Sequence, residues 1–268
     1  MPTSNDCSIQ LRKAHAQAKE YADKLQQTVR MLKDSHFKLE MAYADTISRL
    51  AQAIEYKDEE TGHHVLRISF FSAILANAIG LPKDQVLRIY NSASMHDLGK
   101  IGIPDAILLK PDKLTEAEFN IVKTHTTIGA KLLTNSNSHL LETGMRIALT
   151  HHERWNGTGY PNGLSGENIP IEGRIVCLVD VYDALKSERP YKHEFPQKKA
   201  LRILRHGKGT HFDPKLVETF FDNLPRLSMV EDTLRSATTI NEEQLFHTVL
   251  PDCDMRACFA VSKSPQQP

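Results

Sequence analysis

Much of what would tie a chain to a membrane, an oxidising compartment or a polyanion is scarce here. The 268 residues include four cysteines, Cys7, Cys177, Cys253 and Cys258, scattered without a C-x-x-C pair. That spacing offers no zinc site and no disulfide framework, so the thiols read as free in a reducing compartment. No apolar run approaches the roughly 20 residues a membrane-spanning helix needs. The N-terminal stretch MPTSNDCSIQ lacks the apolar core of a secretory signal, so the expectation is a cytoplasmic protein with no membrane contact. Basic and acidic side chains balance at 33 each, which argues against bulk attraction to a nucleic acid polymer or to anionic lipid. Function must then come from a local site. What the chain does have in quantity is histidine, thirteen in all.

Between Leu11 and Tyr56 there is neither glycine nor proline, and Leu11, Leu25, Leu32 and Leu39 fall on multiples of seven. This spacing predicts a long helix with a coiled-coil tendency, weakened by Thr28 and Ser35 at positions that should be apolar. Past Ala42 the apolar set shifts to Ile47, Leu50 and Ile54. The expected division is therefore an N-terminal stalk over residues 1–41, a globular domain over 42–224 and a C-terminal extension over 225–268. Within the globular part, Val65, Ile68, Ser69, Ser72, Leu75, Ala76 and Ile79 mark one apolar helix face that stops at Gly80 and Pro82. Asp84 is placed to cap a next helix running to about Leu98, and Thr115 with Glu118 forms a capping box for one running through Leu133. A helix from Leu140 to Thr150 leads to His151 and His152. RIVCLVDVYDAL, from Arg174 to Leu185, reads as a buried helix. Asp213-Pro214 opens another, as N-cap and first helical residue, and SKSPQQP reads as a frayed end. The class is all-α.

One histidine on a helix is usually a packing or surface residue, but here histidines and carboxylates cluster. Glu60 and His64 are four apart, so a helix puts them on one face. His96 and Asp97 are adjacent and on a helix would project about 100° apart, toward different sides of an ion or toward two ions. Lys100 follows His96 by four residues, His125 sits within an amphipathic segment, and His151 and His152 repeat the adjacent pair. Asp180 and Asp183 lie in the most apolar helix, where a buried carboxylate costs several kcal/mol unless a cation or donor compensates it. After the histidine pair comes HHERWNGTGYPNGLSGENIP, with the only tryptophan, Trp155, and four glycines. Asn156-Gly157, Gly159 and Asn162-Gly163 predict tight turns with positive φ. The chain can thus leave the bundle and return without covering the cluster. Trp155 would pack this loop down, and Tyr160 and Pro161 would shape a pocket for a bound ligand.

The run HDLGK, with ETGHH upstream and Asp180 downstream, resembles the HD phosphohydrolase superfamily, and HHERWNGTGYP is similar to the signature of its HD-GYP branch. GIPDAILLKPDKLTEAEF, GLSGENIPIEGRIVCLVDVYDALKSERPYK and GTHFDPKLVETF extend the resemblance over roughly residues 42–224. It implies an HD-type helical bundle carrying two or three divalent transition-metal ions, iron or manganese, and hydrolysing cyclic di-GMP to pGpG or GMP in bacterial signalling. The ligand positions it implies are His64, His96, Asp97, His125, His151, His152 and Asp180, with Glu60 helping to hold a third ion. Lys100 would face the substrate phosphate, and Arg189 and Lys192 would contact the nucleotide.

The chemistry suits such a set. An anionic phosphodiester resists hydroxide, and two ions roughly 3.5–4 Å apart both neutralise the phosphate oxygens and ionise a water. Asp97 has two oxygens with which to bridge them. Nitrogen and oxygen donors without thiolate suit iron, manganese, cobalt, nickel or zinc. His96, Asp97 and Lys100 are thus the candidate catalytic residues, and the partners expected are cyclic di-GMP as substrate, a second copy through the N-terminal helix, and a signalling protein in trans. Two other readings stand beside this one: a phosphohydrolase for another nucleotide or cyclic dinucleotide, and a non-catalytic cyclic-dinucleotide-binding module.

Overall fold

A computed structural model describes residues 4–57, 63–187, 194–236 and 240–253. Among them twelve helices carry the fold: α1 Ser4–Lys57, α2 His63–Ala78, α3 Lys83–Ser92, α4 Asp105–Leu108, α5 Glu116–Lys123, α6 His125–Leu133, α7 His139–Thr150, α8 Ile171–Lys186, α9 Gln197–His206, α10 Pro214–Asp222, α11 Leu224–Ser236 and α12 Glu242–Val249. No strand forms among the described residues. The isolated bridges Asn156–Ser165 and Lys208–Phe212 are the β pairing seen there.

The described residues group into two units, α1 as far as Tyr43 and the chain from Ala44 onward. In the first, Tyr21, Leu25, Leu32 and Leu39 are exposed, and one turn-spaced ion pair, Glu20–Lys24 at 2.6 Å, adds slight support to the helix. In the second, Ala44, Ala51 and Ile54 are buried.

Helix α2 is the centre of the second unit. Its residues Ile68, Phe70, Phe71, Ala73, Ile74, Leu75 and Ala76 have no exposed surface, so it is buried all round rather than on one face. The reason is that α3, α8, α10 and α11 all pack on it. Gly80, at φ +82°, ends its turn. Helix α3 is preceded by Pro82 without a side-chain cap. Asp84 instead pairs with Arg88 at 2.7 Å within that helix.

Two expected long helices prove to be broken. Helix α3 stops at Ser92, and the backbone tightens into 3₁₀ turns at Ala93–Met95 and Leu98–Gly102, with His96 and Asp97 at their junction. The Thr115–Glu118 capping box forms, but its helix ends at Lys123 and α6 begins at His125. Gly99 makes the junction feasible, because a Cβ there would lie 1.9 Å from the His125 carbonyl oxygen. Only glycine lets the second 3₁₀ turn come this close to α6. Helix α8 is the buried helix expected of its apolar sequence, and Asp213 caps α10 by accepting from the Lys215 N–H at 2.8 Å.

Residues 225–236 and 240–253 contribute to the main core. Leu227, Val230, Leu234, Phe246, Val249, Leu250 and Cys253 are buried in it, and the Phe246 ring lies 4.9 Å from Tyr90 and 6.4 Å from Phe70. The weak periodicity here reflects two helices of only 13 and 8 residues. SKSPQQP lies outside the described residues. Phe246→Ala should destabilise the protein by about 3–5 kcal/mol, the cost of an aromatic-sized cavity, in urea denaturation. A loss below about 1 kcal/mol would mean that α12 is peripheral to the core.

Candidate metal centre

Seven of the eight residues expected as ligands come together, and the eighth, Glu60, lies outside the described residues, as do Arg189 and Lys192. They form two groups, Asp97 with His125, His151 and His152, and His64 with His96 and Asp180. In each group the donor atoms all lie within 4.8 Å of one another. Asp97 faces both ways. Its Oδ1 is 3.3 Å from His125 Nε2 and 3.6 Å from His151 Nε2, and its Oδ2 is 3.3 Å from His96 Nε2. Asp180 Oδ1 is 3.9 Å from Nε2 of both His64 and His96.

The outer nitrogens decide what faces inward. His96 Nδ1 donates to the Ala93 carbonyl at 3.0 Å and His125 Nδ1 to that of Val122 at 2.7 Å. His151 Nδ1 donates to the Ile147 and Ala148 carbonyls, each at 3.1 Å. His64, near the start of α2, has its Nδ1 on the Asp183 carboxylate at 2.6 Å. A neutral imidazole with a protonated Nδ1 carries a lone pair at Nε2. Four such lone pairs therefore converge on carboxylate oxygens, and Asp97 Oδ1 is buried without a hydrogen bond. An arrangement of acceptors facing acceptors is stabilised by a cation between them, and imidazole with carboxylate suits a divalent transition ion.

The electrostatics agree. Burial drives His125 down to about 4, outweighing the pull of Asp97. Burial also takes His152 well below its ordinary value, with His151 and His125 adding to the effect. Both are neutral donors at pH 7. Burial would raise the Asp97 carboxyl, but the Lys100 ammonium holds it well below the usual range. Lys100 reaches Asp97 Oδ2 at 2.9 Å.

Because His96 and Asp97 sit at a 3₁₀ junction, their directions are not those of neighbours on a regular helix. His125 starts a helix and is not in the middle of one. The loop after His152 is tied down at several points. Trp155 N–H donates to the His211 carbonyl at 3.1 Å, Asn156 N–H to that of Thr210 at 2.9 Å, and Arg174 covers the Trp155 ring at 5.8 Å. Gly157 and Gly163 have φ of +80° and +66°. Gly159 is required for another reason: a Cβ would lie 2.3 Å from the Arg154 nitrogen. Tyr160 stands 4.8 Å from the His152 ring, half-buried, and is joined to Pro161 by a cis peptide bond. Burial raises its phenol well above the ordinary value, so the ring enters the site as a neutral hydroxyl.

Two supporting carboxylates went unassigned in the sequence. Asp183 bonds His64 and also pairs with Arg67, whose Nη2 donates to Oδ2 at 2.9 Å. Burial works against its charge, but Arg67 and His64 hold its pKa well below the usual carboxylate range. Its spacing three after Asp180 on an apolar helix is the signal that marked it as costly. Glu153, directly behind the histidine pair, is buried and accepts from the N–H groups of Asn162 at 2.7 Å and Leu164 at 3.0 Å. It holds the loop from inside.

Residues 48–216 match the family model described as "HD domain". The chain is 43% identical over 222 residues to "Cyclic di-GMP phosphodiesterase response regulator RpfG" of Xanthomonas campestris pv. campestris, covering 83% of this chain and 58% of that protein. It is 49% identical over 166 residues to "Cyclic di-GMP phosphodiesterase" of Thermotoga maritima, covering 62% and 45%. The chain thus spans about half the length of these relatives. A solved structure of a cyclic GMP-AMP specific phosphodiesterase of Vibrio cholerae matches with a TM-score of 0.55 at 20% identity, over 77% of this chain and 54% of that one, and shares the fold.

Asp183→Asn should weaken metal binding about 10–100-fold while helix content is kept, because it removes the charge that orients His64 and raises its basicity. Titration of the metal-free protein measures this, and an unchanged affinity would detach Asp183 from the centre.

Proposed function

The chain belongs to the HD domain family, and on the strength of the donor set at its centre we propose that it is a cytoplasmic, metal-dependent phosphodiesterase that hydrolyses cyclic di-GMP to pGpG or on to GMP. The observation that carries the proposal is the convergence of histidine Nε2 lone pairs on Asp97, which faces three of them across 3.3–3.6 Å. The names of the relatives supply the substrate class.

The residues that would hold two ions, iron or manganese, are His64, His96, Asp97, His125, His151, His152 and Asp180, and by its sequence spacing Glu60 would help to hold a third. Divalent ions so held supply Lewis-acid stabilisation of phosphate oxygens and a water ionised near neutral pH. The chain's own part is orientation and charge. Asp97 presents one oxygen to His125 and His151 and the other to His96. Lys100, held by Asp97 and half-buried, adds a positive charge for the scissile phosphate, worth most where water is excluded. Tyr160 and the glycine-rich loop wall the cleft on the His152 side, and Arg189 and Lys192 would contact the nucleotide. The exposed Leu25, Leu32 and Leu39 of α1 would pair with a second copy, and a signalling protein acting in trans would supply the input.

Protein loaded with iron or manganese without oxygen should convert cyclic di-GMP to pGpG or GMP. Cyclic GMP-AMP and cyclic di-AMP run alongside test the choice of base, and no turnover of cyclic di-GMP with any of these metals would refute the proposal. Asp97→Ala should abolish turnover and lower the bound metal with helix content kept. Lys100→Ala should keep the metal and lower kcat by about 10²-fold or more, the usual cost of a lost transition-state charge. Metal loss in the lysine variant would instead make Lys100 a support for Asp97.

A further inference from the structure

Helix α5 carries two side chains that the metal centre does not use. Phe119 is 43% exposed although it is a large aromatic. Its ring stands 6.3 Å from that of Tyr160 at 82°, so the two rings form adjoining walls. Lys123, one turn on, places its ammonium 4.8 Å from the Phe119 centroid and 5.7 Å from that of Tyr160. Asn120 accepts a hydrogen bond from that ammonium at 3.0 Å. The corner opens beside the donors, since Tyr160 lies 4.8 Å from the His152 ring and 6.5 Å from that of His125.

The platform is fixed at its root. Thr115 and Glu118 make a full capping box, and Lys110 holds the Glu118 carboxylate at 2.7 and 2.8 Å. Phe119 is the residue next to that anchor, so its exposure is that of a side chain on a rigid helix end. An aromatic wall beside a phosphate-binding centre suits the face of a base, because every nucleobase has a π-face that can stack. The ammonium adds a choice among bases. Lysine is a donor only, and guanine offers O6 and N7 as acceptors where adenine offers N7 beside an amino donor.

We propose that Phe119 and Lys123, with Tyr160, form the cradle for one base of the substrate, Phe119 stacking it and Lys123 selecting guanine through O6. This rests on the phosphodiesterase reading of the centre for what the base is attached to.

The test uses the metal-loaded full chain with the variants Phe119→Ala, Phe119→Tyr and Lys123→Met. GMP and AMP are titrated by calorimetry, which needs no turnover. Phe119→Ala should weaken both nucleotides about tenfold, the usual effect of losing one stacking ring, and Phe119→Tyr should restore them. Lys123→Met should weaken GMP several-fold and leave AMP unchanged. In turnover, Phe119→Ala should raise KM for cyclic di-GMP with kcat nearly constant. It should also leave hydrolysis of bis(4-nitrophenyl) phosphate, a phosphodiester without a base, as it was. Equal losses on both substrates would make Phe119 a prop for the loop and overturn the proposal, as would unchanged GMP binding in Phe119→Ala. Equal weakening of GMP and AMP in Lys123→Met would overturn the selection of guanine. If the nucleotide pattern is as expected but no cyclic dinucleotide is hydrolysed, the cradle stands and the phosphodiesterase reading falls.

Discussion

Asp97 Oδ1 faces the Nε2 atoms of His125 and His151 across 3.3 and 3.6 Å, buried and without a hydrogen bond. Acceptors do not satisfy one another, and leaving a buried carboxylate oxygen so placed is costly. The fold tolerates this because it fixes each imidazole from outside. Three of the four buried histidines do so in the same way, donating Nδ1–H to a carbonyl three residues earlier: His96 to Ala93, His125 to Val122, and His151 to Ala148. Each of these carbonyls lies where a helix ends or tightens, and such carbonyls keep acceptor capacity that an unbroken helix would use itself. The breaks in the helical path thus orient the donors. For His64, near the start of α2, the described partner of Nδ1 is the Asp183 carboxylate.

This explains which parts of the molecule could be read from the sequence. The donors were legible because histidine and carboxylate recur at short spacings, and the glycine-rich loop because its turns need residues that few other elements use. The broken helices were not. Apolar periodicity runs on through Ala93 to Leu98 and through Thr124 to Leu133, and nothing in it records that the backbone tightens to 3₁₀ at the ligands. Gly99 was the available sign: a glycine between Asp97 and Lys100 makes little sense in a helix, but it does where another backbone passes 1.9 Å from its absent Cβ.

Burial produced the other differences. Apolar spacing marked one face of α2 through Val65, Ile68, Leu75 and Ala76, yet Phe70, Phe71 and Ala73 lie outside that face and are equally enclosed. Which helices close over a central one is a property of the whole chain. The same holds for α11 and α12, too short to show a period but contributing Leu227, Val230 and Phe246 to the core. Asp183 was visible as an expense and not as a partner, since the residues that compensate it, Arg67 and His64, lie more than a hundred positions away.

A second, smaller cluster shows what the ligand-bearing turns rest on. Ala44, Met95, Leu133, Leu140 and Ala148 are buried together, with Ile47, Leu98 and Met145 against them. Met95 and Leu98 flank the His96–Asp97 pair, Leu133 closes the helix that His125 opens, and the Ala148 carbonyl is one of those that hold His151. Each element that carries a ligand to Asp97 thus has an apolar residue in the cluster that also includes Ala44 and Ile47 of α1. Protein interiors are packed as densely as organic crystals, so such a cluster resists a change of even one methylene. The separation of the two donor groups is therefore set from two sides, by the Nδ1 hydrogen bonds within each turn and by the side chains stacked behind the turns. The second constraint includes a helix that contributes no ligand among the described residues.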